Sequence, residues 1–177
     1  GLMEAGARVY GTNIRQAVYL SPTPFSVSQQ DSLALLAVNN SFGGELFNNL
    51  SLPVSQWPGV LVMNGRVIGL SVSNYGDPYE GSIPPEIGNL TGLMFLTIGG
   101  KLHGELPESV YQLTNLRELS IYAEYGSTLE SELSPQIANL TNLESLHISR
   151  ILVGQIPAEI GALTALKTLH LYDNGLT

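Results

Sequence analysis

One segment occurs twice in this chain with little change. GSIPPEIGNLTGL begins at Gly81 and GQIPAEIGALTAL begins at Gly154, and nine of the thirteen positions are identical. Around them an apolar triplet recurs, with starts 26, 23, 27 and 23 residues apart: Val67/Leu70/Val72, Leu93/Leu96/Ile98, Leu116/Leu119/Ile121, Leu143/Leu146/Ile148 and Leu166/Leu169/Leu171. A period in the twenties is typical of a solenoid, because one such unit cannot bury its own apolar side and must stack on its neighbours.

Each unit predicts two local structures. The last two apolar residues of a triplet are two apart and so share one face of a short strand, while the residues between them point outward. Ile87, Leu90 and Leu93 are three apart, which favours a 3₁₀ turn over an α-helix. Stacked units should therefore form one buried row of leucines: Leu96, Leu119, Leu146 and Leu169.

Composition excludes several functions. Charged residues make up only 12% of the chain, about half the usual share. Residues 1–76 hold three acids and three bases, so the net charge of −8 belongs to the remainder, and an acidic body of this kind repels nucleic acid. The chain has no cysteine, no apolar run long enough for a membrane span, and no phosphate-binding loop or catalytic motif. We predict no catalysis, no cofactor, no nucleic-acid partner and no direct membrane insertion.

The full pattern, LxxLxxLxI…LxGxIPxxIGxLTxL, resembles the plant-type leucine-rich repeat, which also occurs in bacterial secreted and surface proteins. The resemblance implies a leucine-rich repeat solenoid: an α/β-type right-handed superhelix with short parallel strands on the concave face, a 3₁₀ or irregular convex face, and a helix-plus-hairpin cap at the N-terminus. It also implies a non-catalytic extracellular or cell-surface module that binds a protein or peptide.

We divide the chain into an N-terminal extension or linker (1–27), a cap (28–66) and about four and a half repeats (67–177) with an uncapped C-terminal end. Ser28 to Asp31 reads as a capping box that opens a short helix, and Asn64-Gly65 predicts a hairpin turn. We expect this helix to carry three apolar residues on one side: Leu33, Leu36 and Ala37. Ser55 and Val62 stand where plant members often have two cysteines, so packing around Trp57 alone is expected to hold the cap.

The family pattern also places an asparagine in the turn after each strand. Only Asn174 stands in that register, while Lys101 and Ile151 occupy equivalent places. The other turns are expected to find different hydrogen-bond partners.

Outward strand positions stack into columns on the concave face. The early units carry small neutral residues, and the later three carry aromatic, imidazole and charged groups, which predicts this binding patch: Glu118, Tyr122, His147, Arg150, His170 and Tyr172. His147 and His170 should be cross-strand neighbours. With Asp173 they form too small a ligand set to predict a metal site.

Two insertions follow strands, YGDPYE (75–80) and AEYGSTLE (123–130), and each brings tyrosine with acids. We expect both to project from the same edge of the solenoid. Tyr75, Tyr79 and Tyr125 join the predicted binding residues. Neutral drift at a tolerant position is the alternative.

The predicted partner is therefore a protein or peptide, with a glycan as the alternative. Self-association through the uncapped C-terminal end is a further alternative. Ice binding, known for some plant relatives, would need a flat, regular grid of threonine or serine, and the histidine and tyrosine columns break that grid.

Overall fold

The computed structural model describes residues 27–47, 49–73 and 78–177. Its first element is the helix α1, Gln29–Ser41, whose first turn is capped by the Ser28 side chain accepting the N–H of Asp31 at 3.1 Å. A 3₁₀ turn, Val54–Gln56, leads into the hairpin of β1, Val60–Met63, and β2, Arg66–Val72. Asn64 and Gly65 join these strands with φ of 51° and 72°, which confirms the predicted turn.

The principal sheet then grows by one parallel strand per repeat. Its further strands are β4, Phe95–Leu102, β5, Glu118–Ala123, β7, Ser145–Ser149, and β9, Thr168–His170. The order is β1-β2-β4-β5-β7-β9, and only the β1–β2 pair is antiparallel. Consecutive parallel strands that neighbour each other across the whole sheet define a solenoid, so the predicted fold class is confirmed.

The opposite side of each coil is a 3₁₀ turn, also as predicted: Pro85–Asn89, Glu108–Gln112, Pro135–Asn139 and Ala158–Ala162. Short strands lie between the two sides. β6, Ser131–Glu132, β8, Leu152–Gly154, and β10, Gly175–Leu176, form a small parallel sheet, while β3, Glu80–Gly81, pairs with the end of β4.

The predicted leucine row runs through the core. Leu96 pairs with Leu119, Leu119 with Leu146, and Leu146 with Leu169. The first three are at most 1% exposed, whereas Leu169 keeps the register but is 42% exposed. The difference arises because no further coil of the described chain packs against the outer side of the last one.

The buried face of α1 differs from the predicted apolar side. Leu33 is 51% exposed, and the helix instead buries Ala34, Leu35 and Val38. Both sets have helical spacing, so periodicity does not choose between them. The rotation is set by Asp31, which lies on the same face as Leu35 and Val38 and is fully buried.

Asp31 also corrects two other expectations for the cap. Its carboxylate does not complete a capping box but accepts Arg66 Nε at 3.0 Å, Arg66 Nη2 at 3.1 Å and the Val67 N–H at 2.8 Å. The cap is therefore not held by Trp57 alone. Trp57 contributes by stacking on Phe47 at 4.7 Å between ring centroids and by donating its indole N–H to the carbonyl of Leu52 at 3.0 Å.

Candidate functional site

The predicted concave columns follow the strand register. Gly69, Phe95, Glu118, Ser145 and Thr168 are successive partners. Ser71, Thr97, Ser120, His147 and His170 form the second column, and Gly99, Tyr122 and Ser149 belong to the third. Equal spacing of the triplet residues made this arrangement readable from the sequence.

The structure brings His147, His170 and Tyr172 into one cluster. The ring centroids of His147 and His170 are 5.5 Å apart with the ring planes near perpendicular, at 88°. The ring of Tyr172 lies 5.0 Å from that of His147, and Tyr172 is 52% exposed. Nε2 of His147 is buried and has no hydrogen-bond partner in the part of the chain that the structure describes. The cluster is thus a rigid aromatic surface with an unsatisfied polar atom.

Tyr122 extends this surface toward the earlier coils. A Cβ built on Gly99 would come within 2.0 Å of Cζ of Tyr122, so the tyrosine ring lies directly over the glycine. The absence of a side chain at Gly99 therefore sets where Tyr122 can lie. Glycine at the equivalent position of the previous coil was visible in the sequence, but its role under a neighbouring ring was not.

Charged residues border the cluster on both sides. Arg150 Nη2 meets a carboxylate oxygen of Asp173 at 3.2 Å, and both residues have positive φ, 60° and 56°, in the turns after their strands. Glu118 is exposed, and its carboxylate makes no ion pair with the described residues. Arg150 and Glu118 thus lie at opposite ends of their strands.

A second charged row was missed in the sequence. Arg117, Glu144 and Lys167 occupy the position just before β5, β7 and β9. Glu144 pairs with Arg117 at 3.6 Å and accepts a hydrogen bond from Lys167. That bond, with the charge of Lys167, lowers the pKa of Glu144. The sequence signal for this row was that its three residues each stand one position before a strand. With these residues included, positive and negative side chains around the patch are nearly equal in number.

The insertions differ in how they present tyrosine. Tyr125 is 93% exposed. Tyr79 packs partly buried against the core, and its carbonyl accepts the N–H of Lys101 at 2.8 Å. Tyr75 lies outside the described residues.

His103 links the described parts of the two insertions. Its Nε2 is 3.1 Å from Oε1 of Glu80, and its Nδ1 is 3.0 Å from Oγ1 of Thr128. Since a carboxylate only accepts, Nε2 carries the proton in this contact. His103 belongs to the coil between the insertions, and its sequence context gave no sign of this role.

Ser127 takes the role of the family asparagine in the second insertion. Asn174 accepts the N–H groups of Ile151 and Leu152 at 2.9 Å each and donates to the carbonyl of Ile148, as expected for this position. Ser127 likewise accepts the Leu102 N–H at 3.0 Å. The insertion is therefore anchored by the hydrogen bond that a plain repeat would make.

No group of three or more histidine, cysteine, aspartate or glutamate side chains in the described part of the chain is arranged to hold a metal ion. Among the helices of the described ranges, none has the length and apolar character needed to cross a membrane.

A repeat solenoid with parallel strands on one side and 3₁₀ turns on the other is the architecture of leucine-rich repeats. The family profile described as a leucine-rich repeat region matches residues 70–176, more than half of the chain. The chain belongs to the leucine-rich repeat family.

Solved structures of plant proteins share this fold. A plant ice-binding protein is 25% identical with a TM-score of 0.72, and the match covers 85% of this chain and 50% of that one. A chain of the BIR3–SERK2 complex from Arabidopsis thaliana is 25% identical with a TM-score of 0.68, covering 83% of each chain. The BIR2 ectodomain from the same plant is 26% identical with a TM-score of 0.65, covering 86% and 83%. Among curated proteins, none matches the sequence significantly. The chain thus spans half the length of the ice-binding protein and most of the length of the two others.

Proposed function

We propose that the chain is a non-catalytic module that binds a protein or peptide through its concave face. The observation that carries this proposal is the cluster of His147, His170 and Tyr172, in which exposed aromatic rings surround a polar nitrogen without a partner. Aromatic residues on a rigid surface lose little conformational entropy on binding, so they commonly supply most of the affinity of an interface.

The surroundings of the cluster favour a partner of low net charge. The nearby carboxylates of Glu144 and Asp173 are paired with Lys167, Arg117 and Arg150. The patch therefore has no strong field of either sign, although the chain as a whole carries −8. The similarity to a chain of the BIR3–SERK2 complex supports a protein partner.

The binding test uses peptides that are selected on the chain itself. A peptide display library is selected on the immobilised chain, and the affinity of a selected peptide is measured by calorimetry. We expect His147→Ala and Tyr172→Ala each to weaken binding about tenfold or more, as for residues at the centre of an interface. Gln136→Ala, an exposed substitution on the 3₁₀ side, is the matched control and should leave the affinity unchanged. Equal affinities for all variants, or an equal loss with Gln136→Ala, would reject the concave face as the site.

Glycan binding through Tyr122 and Tyr172 is the alternative for the same face. Binding to a glycan array that is lost on changing both tyrosines to alanine would favour it over a peptide ligand. An extracellular or cell-surface location is part of the proposal and is supported by the similarity to the BIR2 ectodomain. Self-association through the last coil stays a prediction.

Ice binding is a second candidate function. It is favoured by the similarity to the plant ice-binding protein, which extends over 85% of this chain with a TM-score of 0.72. The concave face does not suit it, because the ring cluster is neither flat nor periodic. A surface for ice must therefore lie elsewhere on the coils.

A further inference from the structure

Four exposed threonines recur on the turn that connects each 3₁₀ segment to the following strand: Thr91, Thr114, Thr141 and Thr164. The insertions and one-residue differences between coils all fall after the strands. Each threonine therefore stands four residues before a strand residue of the same column: Phe95, Glu118, Ser145 and Thr168. The turn therefore has the same length in every coil.

The backbone of this turn repeats with the same hydrogen bond in every coil. Leu93 donates its N–H to the carbonyl of Leu90 at 2.9 Å, and the three later coils make the equivalent bond at 2.9, 2.9 and 3.0 Å. Because the threonines share the strand register, their spacing follows that of adjacent strands, about 4.7–4.9 Å. Side-chain amides fix neighbouring coils to each other, since Asn115 donates to the carbonyl of Thr91 and Asn142 to that of Thr114, each at 2.8 Å.

The four turn segments are uncharged as well as regular. Residues 89–92, 112–115, 139–142 and 162–165 contain no acid and no base. A second exposed column accompanies the threonines, two residues earlier in each coil: Asn89, Gln112, Asn139 and Ala162. The hydroxyls of Thr114, Thr141 and Thr164 make no hydrogen bond within the described ranges, whereas that of Thr91 accepts from Arg66 at 2.8 Å.

The free hydroxyls of Thr114, Thr141 and Thr164 are fixed at regular intervals, so the water that they bind is held at the same intervals. Immobilising each water costs entropy, and on a rigid array much of this cost is met before any contact with a crystal of water. Charged side chains would impose their own, differently spaced hydration shells; the turn segments around Thr114, Thr141 and Thr164 contain none, whereas Arg66 reaches the hydroxyl of Thr91. The chemistry therefore fits an ordered water lattice better than a peptide.

We propose that this threonine face, centred on Thr114 and Thr141, binds ice. The inference rests on the second candidate function and assigns it to the turn face. The turn face lies before the first residue of each strand, whereas the cluster of His147, His170 and Tyr172 lies after it. The concave face remains available for a protein or peptide, so the two surfaces act independently.

The experiment measures partition of the chain into slowly growing ice. The protein is produced without glycosylation, because Asn89 and Asn139 each begin an Asn-Leu-Thr acceptor sequence within the face. The double variant Thr114→Tyr/Thr141→Tyr interrupts the middle of the row, and Thr114→Lys/Thr141→Lys provides a second version. Thr97→Tyr is the matched control, since it places the same bulk on a concave column. Unfolding in urea confirms that each variant is folded.

We expect the wild type and Thr97→Tyr to be enriched in the ice fraction, and both double variants to lose enrichment about tenfold. A wild type that ice excludes would overturn the proposal together with ice binding as a function. A wild type that partitions while a folded double variant partitions equally would leave the function standing and overturn the assignment of this face. Loss with Thr97→Tyr alone would place ice binding on the concave side and likewise overturn it.

Discussion

Tyr111 is the largest side chain that the described core buries completely, and it shows how one residue ties neighbouring coils together. Its ring lies inside the coil of Glu108–Gln112, and its hydroxyl accepts the N–H of Ser134, in the next coil, at 3.4 Å. Burial raises the pKa of Tyr111 to about 12, and the hydrogen bond from Ser134 opposes this shift. The folded chain therefore favours the neutral phenol over the phenolate.

The free energy of unfolding should therefore depend on pH in the alkaline range. Below pH 10, Tyr111 is neutral in the folded and the unfolded chain, and its burial is fully stabilising. Between pH 10 and 12 the unfolded chain loses the proton and the folded chain keeps it, so the free energy of unfolding falls, by about 2 kcal/mol near pH 11.5. Urea unfolding of the wild type and Tyr111→Phe at pH 9 and 11.5 measures this. The fall should be smaller by that amount in Tyr111→Phe and unchanged in Tyr125→Phe, and equal falls in all three proteins would contradict it.

At the scale of the element, the turns after the strands show how a divergent repeat keeps its backbone satisfied. Asn174 fills the role as in the family pattern, and Ser127 fills it from within an insertion. Because Ser127 also donates to the carbonyl of Glu124 at 2.6 Å, it fixes the loop that carries Tyr125. An insertion that is anchored in this way displays its exposed tyrosine in one place.

Ser127→Ala should therefore loosen the loop without unfolding the chain. The buried-side N–H of Leu102 loses its acceptor, which costs about 1–2 kcal/mol. Amide hydrogen exchange should become faster at Leu102 and at residues 124–130. Thr128→Ala, which removes only the exposed contact with His103, is the control and should change exchange at Leu102 little. Unchanged protection of Leu102 in Ser127→Ala would show that the serine is not the anchor.

At the scale of the molecule, stability comes from coils that bury one another. Leu146 is covered on both sides by Leu119 and Leu169, whereas Leu169 is covered by the described chain on one side only. A leucine in the same register thus stabilises the fold by a different amount according to the position of its coil in the stack.

Leucine-to-alanine substitutions should reproduce this difference. Leu146→Ala removes a fully buried side chain and leaves a cavity, so we expect a loss of about 3 kcal/mol. Leu169→Ala, at a position that is 42% exposed, should cost about 1 kcal/mol. The midpoints of urea unfolding compare the two. Equal losses would contradict a stack whose outer coil is less buried.

The fold and the columns of the candidate site were predictable because both follow from one regular spacing. Equal distances between triplets place like residues in register, so the spacing alone made His147 and His170 neighbours. The buried face of α1 was not predictable, because two sets of residues satisfy helical periodicity and the Asp31–Arg66 contact chooses between them. The contacts of His103 were not predictable either, because they join three coils through the exposed side chains of Glu80 and Thr128.

The sequence by itself determined the solenoid, its strand register and the order of residues along each concave column, since these depend on local periodicity that recurs in every unit. Only the tertiary structure decided which side chains meet, as the ring of Tyr172 does with His147 and the carboxylate of Asp31 with Arg66, and that the threonines of the repeat are exposed. Such contacts depend on side-chain directions and on exposure, which are fixed by the packing of whole coils rather than by the spacing of residues within one.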